Sequence, residues 1–412
     1  MRWIILIVIV AIVDIYAFQA IRTITKQTWI QVLYVLVSVS IIGYSIYIFA
    51  NYDRSVGPTK YTLRASGLIF VTLVPKLILV LFMFGEDIIR LSIAGYTYLS
   101  NTFTDGSTPE KMIPDRRKFI SQLALGIAAV PFVGLIHGIV RGKYNFKTIT
   151  HTLYFKDLPK AFDGFRLTQI SDIHSGSFDE SAKIEYAIDL INKQQTDLIL
   201  FTGDIVNTVA SEMDDWIDTF KRIKTPTFGK FSVLGNHDYG EYVTWDTQAA
   251  KDANFQAIKD IHKKIDFDLL LNQNRFIEKD GERLAIIGVE NWGHNFKKAG
   301  DLGVASQGVN KEDFKILLSH DPSHWEYEVK NHPQHYHLTL SGHTHGFQFG
   351  IEIPGVIKWS PVQYVYKQWA GIYREVNKFL NVNRGFGFHA FPGRVGIWPE
   401  ITIIELKREV SS

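Results

Sequence analysis

Cysteine is absent from all 412 residues, so the chain can form neither a disulfide nor a thiolate metal site, a composition that fits either side of a membrane. Net charge is also nearly missing. The 44 Lys and Arg against 42 Asp and Glu leave +2, too little to drive binding to nucleic acid. No internal repeat and no low-complexity segment is found. Hydrophobic residues make up 46%, an ordinary soluble value that hides a sharp division. Before about residue 141 long apolar runs dominate; after it come the charges, turns and histidines of a globular domain. The length exceeds one average domain and allows a full core.

Four apolar runs, about 2–21, 29–51, 66–85 and 119–140, approach the roughly 20 residues that cross a bilayer core. We therefore expect an all-α transmembrane region of about four helices over 1–140, a short basic connector over 141–148 and a globular domain over 149–412. A secretory signal would be shorter and would stand alone, so the first run reads as a retained span. Asp14 in the first run and Lys76 in the third are ionisable groups in apolar surroundings, and mutual pairing is the expected arrangement. Lys and Arg in the loops number seven on each side, so their count sets no orientation. Arg116-Arg117-Lys118 abuts the fourth run and, with Phe119-Ile120, resembles a twin-arginine export signal. Both cues hold that loop inside and predict a multi-pass cell-membrane protein whose C-terminal domain is extracytoplasmic.

In the C-terminal region, strands are expected over 148–155, 165–171, 197–202, 230–234, 284–289, 315–319, 337–340 and 401–406, with helices over 182–191 and 212–223. Apolar strands separated by helices predict an α/β domain with covered sheets. Short polar stretches follow five of these strands: Ser171-Asp172-Ile173-His174, Gly203-Asp204, Gly235-Asn236-His237-Asp238, Ser319-His320 and Gly342-His343-Thr344-His345. Loops at the carboxyl ends of strands are where α/β sheets place their ligands. Asp, His and Asn are oxygen and nitrogen donors that suit two divalent cations held side by side, the apparatus for activating water against a phosphate ester. Asp172 and His174, like His343 and His345, are one residue apart, a spacing that sends both side chains to one side of an extended segment.

The order D-x-H, GD, GNHD, H, GHTH resembles the calcineurin-like metallophosphoesterase superfamily, and more narrowly its bacterial membrane-associated branch. Asn383-Arg384-Gly385-Phe386-Gly387, Arg394-Val395-Gly396 and Pro399-Glu400-Ile401 are similar to the closing strands of that branch. The likeness covers about 150–408. It implies a two-sheet α/β sandwich with a dinuclear site: Asp172, His174 and His345 on one metal, Asn236, His320 and His343 on the second, Asp204 bridging. His237 resembles the family histidine that protonates the leaving oxygen or steadies the transition state. In the family a carboxylate commonly stands three residues after the bridging Asp and orients that histidine. Here the position is Asn207, with Asp238 as a candidate substitute. Phe347 replaces a glycine of the GHTHGGQ pattern. The donor set fits Mn²⁺, Fe or Zn²⁺ better than Ca²⁺, with Mn²⁺ the first expectation.

Trp359, Tyr364, Tyr366, Trp369 and Tyr373 interleave with Lys358 and Lys367 over 353–373, a mixture that suits a membrane–water interface or a packed lid. The expected activity is hydrolysis of a phosphodiester or pyrophosphate bond in a substrate that could be lipid-linked. A non-catalytic sensor or scaffold, a phosphomonoesterase and a nuclease are the alternatives.

Overall fold

The computed structural model describes residues 2–103, 114–353, 355–375 and 377–409. It forms two compact units, Met1–Tyr52 with Arg64–His137, and Asp53–Leu63 with Gly138–Ser412.

The first unit consists of α1 (Arg2–Ile24), α2 (Thr28–Ala50), α3 (Lys60–Phe103) and α4 (Pro114–Val140). Among the described residues, Thr28–Ala50, Lys60–Ser100 and Arg116–Val140 are long and apolar enough to cross a membrane. The first expected span is helical, but its opening side chains lie outside the described residues. Ala17 and Ala20 of α1, Leu79 and Met83 of α3, and Ala124 and Ala128 of α4 share a small core, the alanines allowing close helix approach. Lys76 Nζ donates to Asp14 Oδ1 at 2.5 Å and to Ser38 Oγ at 2.8 Å, so the two intramembrane charges cancel. α3 runs on well past the expected end at 85. Glu86 and Asp87 do not interrupt it, because Arg117 of α4 pairs with them at 3.4 and 2.6 Å.

The second unit is the expected sandwich. Its elements in order are β1 (Lys147–Phe155), β2 (Arg166–Ile170), α5 (Ser181–Asn192), β3 (Leu198–Phe201), α6 (Ile217–Lys221), β4 (Lys230–Ser232), α7 (Gln248–Lys264), β5 (Asp268–Leu269), β6 (Gln273–Lys279), β7 (Glu282–Gly288), β8 (Phe314–Leu318), β9 (Leu338–Ser341), β10 (Ile351–Ile353), β11 (Ile357–Trp359), β12 (Gly371–Glu375), β13 (Lys378–Val382) and β14 (Glu400–Arg408), with several short helical turns between them. One sheet has the order β1-β14-β2-β3-β4-β5 and the other β12-β13-β9-β8-β7-β6, while β10 and β11 make a separate hairpin. β2, β3 and β4 run parallel, as do β7, β8, β9 and β13. Leu167, Leu200 and Val233 from the first sheet meet Ile286, Leu318 and Leu340 from the second in the central core. The outer face of the first sheet buries Ile184 and Ile188 of α5 and Ile258 and Ile261 of α7.

Two departures from expectation have local causes. Instead of one helix over 212–223 the chain makes a short turn, Ala210–Met213, and then α6. Glu212 turns back to accept the amides of Asn207, Thr208 and Val209, which fixes the turn where a helix would have run on. α7 was not expected because it is mostly polar, with only Ile258, Ile261 and His262 buried along 17 residues.

Candidate metal centre

The loops leaving β2, β3, β4, β8 and β9 meet at one end of the sandwich, which brings together all seven side chains singled out as metal donors. One donor atom each from Asp172, His174 and His345 lies within 4.8 Å of the others, and the same holds for Asp204, His320 and His343. Asp204 Oδ2 stands between these groups, 3.6 Å from His174 Nε2 and 3.1 Å from His320 Nε2. His345 Nε2 is 3.0 Å from His174 Nε2 and 3.2 Å from Asp172 Oδ1. Asn236 Oδ1 is 2.8 Å from His343 Nδ1.

The backbone achieves this differently from the extended segments expected. Asp172, His174, Asp204, His343 and His345 all sit at φ between 48° and 71°, the left-handed region that non-glycine residues rarely occupy. Such strain persists only where the surroundings enforce it, and it gathers at functional sites. Here, the amide of His343 donates to Asp172 Oδ1 and Oδ2 at 2.9 and 3.0 Å, and that of His237 to Asp204 Oδ1 at 2.8 Å. Room comes from glycine. A Cβ at Gly342 would fall 2.2 Å from Asp172 Oδ2, and one at Gly235 2.1 Å from Asp204 Oδ1.

The donor set calls for a cation. His320 Nδ1 lies 2.7 Å from the Thr202 carbonyl oxygen, which can only accept, so Nδ1 carries the proton. In the neutral ring Nε2 then turns a lone pair toward Asp204 Oδ2, and this buried nitrogen has no well-formed hydrogen bond. Two lone pairs 3.1 Å apart repel unless a positive charge lies between them. Burial alone would push His320 down, but Asp204 and Asp172 raise it to about 10, so without an ion a second proton on the ring supplies that positive charge, which a bound cation would replace. Burial would likewise raise both carboxylates, yet neighbouring imidazoles hold Asp172 below the ordinary range and Asp204 well below it. Buried charge on this scale needs compensation. Hard oxygens and imidazoles in two adjoining groups fit a pair of divalent ions of the Mn, Fe or Zn kind.

Beside these donors stands His237. Its Nδ1 is 2.7 Å from the backbone oxygen of Asn207, so the carbonyl does the orienting for which the family uses a carboxylate. Asp238 does not substitute. It accepts the amides of Asp204, Ile205 and Gly235 at 2.8 to 2.9 Å and braces the two loops. The Asn207 side chain, held by Ser177, faces Nδ1 of His174 at 3.1 Å and Nδ1 of His389 at 3.2 Å. One residue thus fixes three imidazoles. One nitrogen each from His174, His237 and His389 lies within 4.8 Å of the others.

Sequence reasoning missed His389, which follows two phenylalanines by only one and three positions and belongs to no recognisable spacing. It also missed Tyr242, whose hydroxyl accepts from Asn236 Nδ2 at 2.6 Å, and it placed Tyr366 only in the aromatic segment, whereas that hydroxyl lies 2.8 Å from His343 Nε2. The aromatic segment is partly packed and partly exposed. Trp369 and Val362 are buried with Ile397, whereas Ile351, Ile353, Val356, Ile357, Tyr364 and Val365 are exposed. Phe347 is exposed rather than packed into the donors.

Comparison with known proteins agrees with this geometry. Residues 165–347 match the family model for calcineurin-like phosphoesterase, and residues 1–143 match one described as "probable calcineurin-like phosphoesterase, transmembrane domain". An uncharacterized metallophosphoesterase of Bacillus subtilis, YkuE, is 30% identical over 299 residues, 71% of this chain and 97% of that one. A transmembrane protein with metallophosphoesterase domain from Danio rerio is 26% identical over 69% of this chain and 62% of its own length. A UDP-2,3-diacylglucosamine pyrophosphatase, LpxG, of Chlamydia muridarum is 25% identical over 48% of this chain and 69% of its own. The chain belongs to the calcineurin-like metallophosphoesterase family, and within it to the membrane-associated members.

Proposed function

We propose that this protein is a metal-dependent hydrolase of a phosphodiester or pyrophosphate bond in a lipid-linked substrate. Asp172, His174 and His345 would hold one cation, Asn236, His320 and His343 the other, and Asp204 would serve both. Bound there, a pair of divalent ions, with Mn²⁺ favoured, would supply the charge that acidifies a water and neutralises phosphate oxygens. The observation that carries this reading is the unsatisfied His320 Nε2 facing Asp204 Oδ2 across 3.1 Å.

The remaining residues have separable tasks. His237, anchored through Nδ1 on the Asn207 carbonyl, presents Nε2 to the leaving side, and from its doubly protonated form that nitrogen would protonate the departing oxygen. His389, with its ring centroid 4.6 Å from that of His237, contacts the leaving side of the phosphate. Asn207 keeps three rings in register, and Glu212 holds Asn207.

Two features support a lipid substrate: the exposed apolar residues of the β10–β11 hairpin and the turn after it, and the likeness to a pyrophosphatase whose named substrate carries two acyl chains. Arg116-Arg117-Lys118 beside the fourth span supports an extracytoplasmic catalytic domain. The test is a Mn²⁺-supplemented screen of phosphate compounds, including lipid pyrophosphates and phospholipids in mixed micelles, with Asp204→Ala as control. The reading predicts wild-type turnover of a lipid pyrophosphate or diester that rises with its surface concentration in the micelle. Turnover of small soluble esters alone would overturn the lipid assignment.

A further inference from the structure

The helical unit contains a cavity of about 380 Å³ between α1, α2 and α3, with Val10, Ile41, Ile42, Ile46, Phe49 and Leu73 among its walls. This is the size of a small-molecule site. The lining includes Asp14 and Lys76, whose polar atoms are occupied: Lys76 donates to Asp14 and Ser38, and Tyr34 also reaches Asp14. Thr72 on the wall donates to the Leu68 carbonyl at 2.8 Å.

Ser45 is different. It lines the same cavity, it is 5% exposed, and its hydroxyl has no hydrogen-bond partner. A serine in an apolar helix ordinarily donates to the carbonyl four residues back. Thr23, Thr72, Thr97 and Thr102 each do so in this unit. Ser45 leaves that bond unmade, and an unmatched hydroxyl in an apolar medium costs free energy until an acceptor arrives.

Depth identifies the acceptor. Ser45 lies five residues before the end of α2 at Ala50, about 7.5 Å along the axis. A 23-residue helix is slightly longer than the roughly 30 Å hydrocarbon core, so this hydroxyl sits about 5 Å inside its border. Among a lipid's acceptors the ester carbonyls come nearest that level, and their chains run from it toward the membrane centre, along a cavity whose lining includes Asp14 and Lys76. We infer that the helical unit binds one acyl chain of an ester lipid, the ester carbonyl accepting from Ser45 Oγ and the chain filling the apolar cavity. The site is separate from the metal donors, and its occupancy does not depend on hydrolysis.

The test is native mass spectrometry of the full chain released from detergent, loaded with dioleoyl phosphatidylcholine or with its diether analogue of identical chains. The expected result is a one-lipid adduct that favours the diester by roughly fivefold, the worth of one net hydrogen bond. Ser45→Ala should remove the preference by weakening the diester alone, and Leu73→Trp should abolish the adduct with both lipids. Equal retention of the two lipids by the wild type, or a preference that survives Ser45→Ala, would show undifferentiated annular lipid and overturn the proposal. So would an adduct that Leu73→Trp leaves intact.

Discussion

In the helical unit Leu36, Leu81, Leu91 and Val130 turn outward, whereas in the C-terminal unit Leu200, Ile286, Leu318 and Leu340 are shut between two sheets. The same residue type faces opposite ways because hydrocarbon surrounds one unit and water the other. Their buried polar groups differ more instructively. In the helices the buried charges have complements, Lys76 with Asp14 and Glu86 with Arg117, at 2.5 and 3.4 Å. In the sandwich two carboxylates and a crowd of imidazoles face one another at 3.1 to 3.6 Å. A paired charge is architecture; unmatched donors clustered at the ends of strands ask for an ion.

Substitutions can break this contrast, and the largest effect is expected at its centre. Asp204→Ala removes the carboxylate shared by both donor groups and should cut kcat/KM by at least about 10⁴-fold, read in a steady-state assay with Mn²⁺. In the helices, Asp14→Asn strands Lys76 in an apolar bundle and should cost about 3–5 kcal/mol, measured as unfolding in detergent. Adding Lys76→Met to Asp14→Asn should restore most of that loss, an outcome no pair of metal donors would give. His237→Ala should lower kcat by about 10²–10³-fold while bound metal is unchanged, which separates proton delivery from ion binding.

Glu212 sharpens the comparison through pH. Burial lifts its pKa from 4.5 to about 7. For a raised acid, the stabilising contribution is complete below pH 4.5 and is lost as pH climbs through 7. Gln does not titrate, so the stability difference between wild type and Glu212→Gln should narrow by up to about 3 kcal/mol between pH 4.5 and 8, followed by thermal unfolding. The smallest effect belongs to His389→Ala. Losing one hydrogen bond to a charged phosphate should raise KM about tenfold with little change in kcat.

Much of the sandwich could be read in the sequence because its strands are continuous apolar runs, and observed ends lie within a residue or two of the expected ones at 147–155, 166–170 and 314–318. The donors were equally visible because each follows such a run. Their geometry was not. Spacing alone pointed to extended backbone around Asp172 and His174, whereas both are left-handed, a state imposed by hydrogen bonds from distant loops such as that of His343 to Asp172. The substitute for the missing carboxylate was hidden for a related reason. It is a main-chain carbonyl, at Asn207, and every residue has one. His389 reaches the site only through the fold, more than 150 residues beyond His237 in the chain.

The most direct test is the metal content of the purified full-length protein after exposure to Mn²⁺ and removal of free ion, compared with Asp204→Ala and His320→Ala. Two ions per wild-type chain, with one or none in each variant while both stay folded, is the predicted result. A wild-type chain that retains no Mn²⁺, Fe or Zn²⁺ under these conditions, or variants that retain both ions, would contradict it.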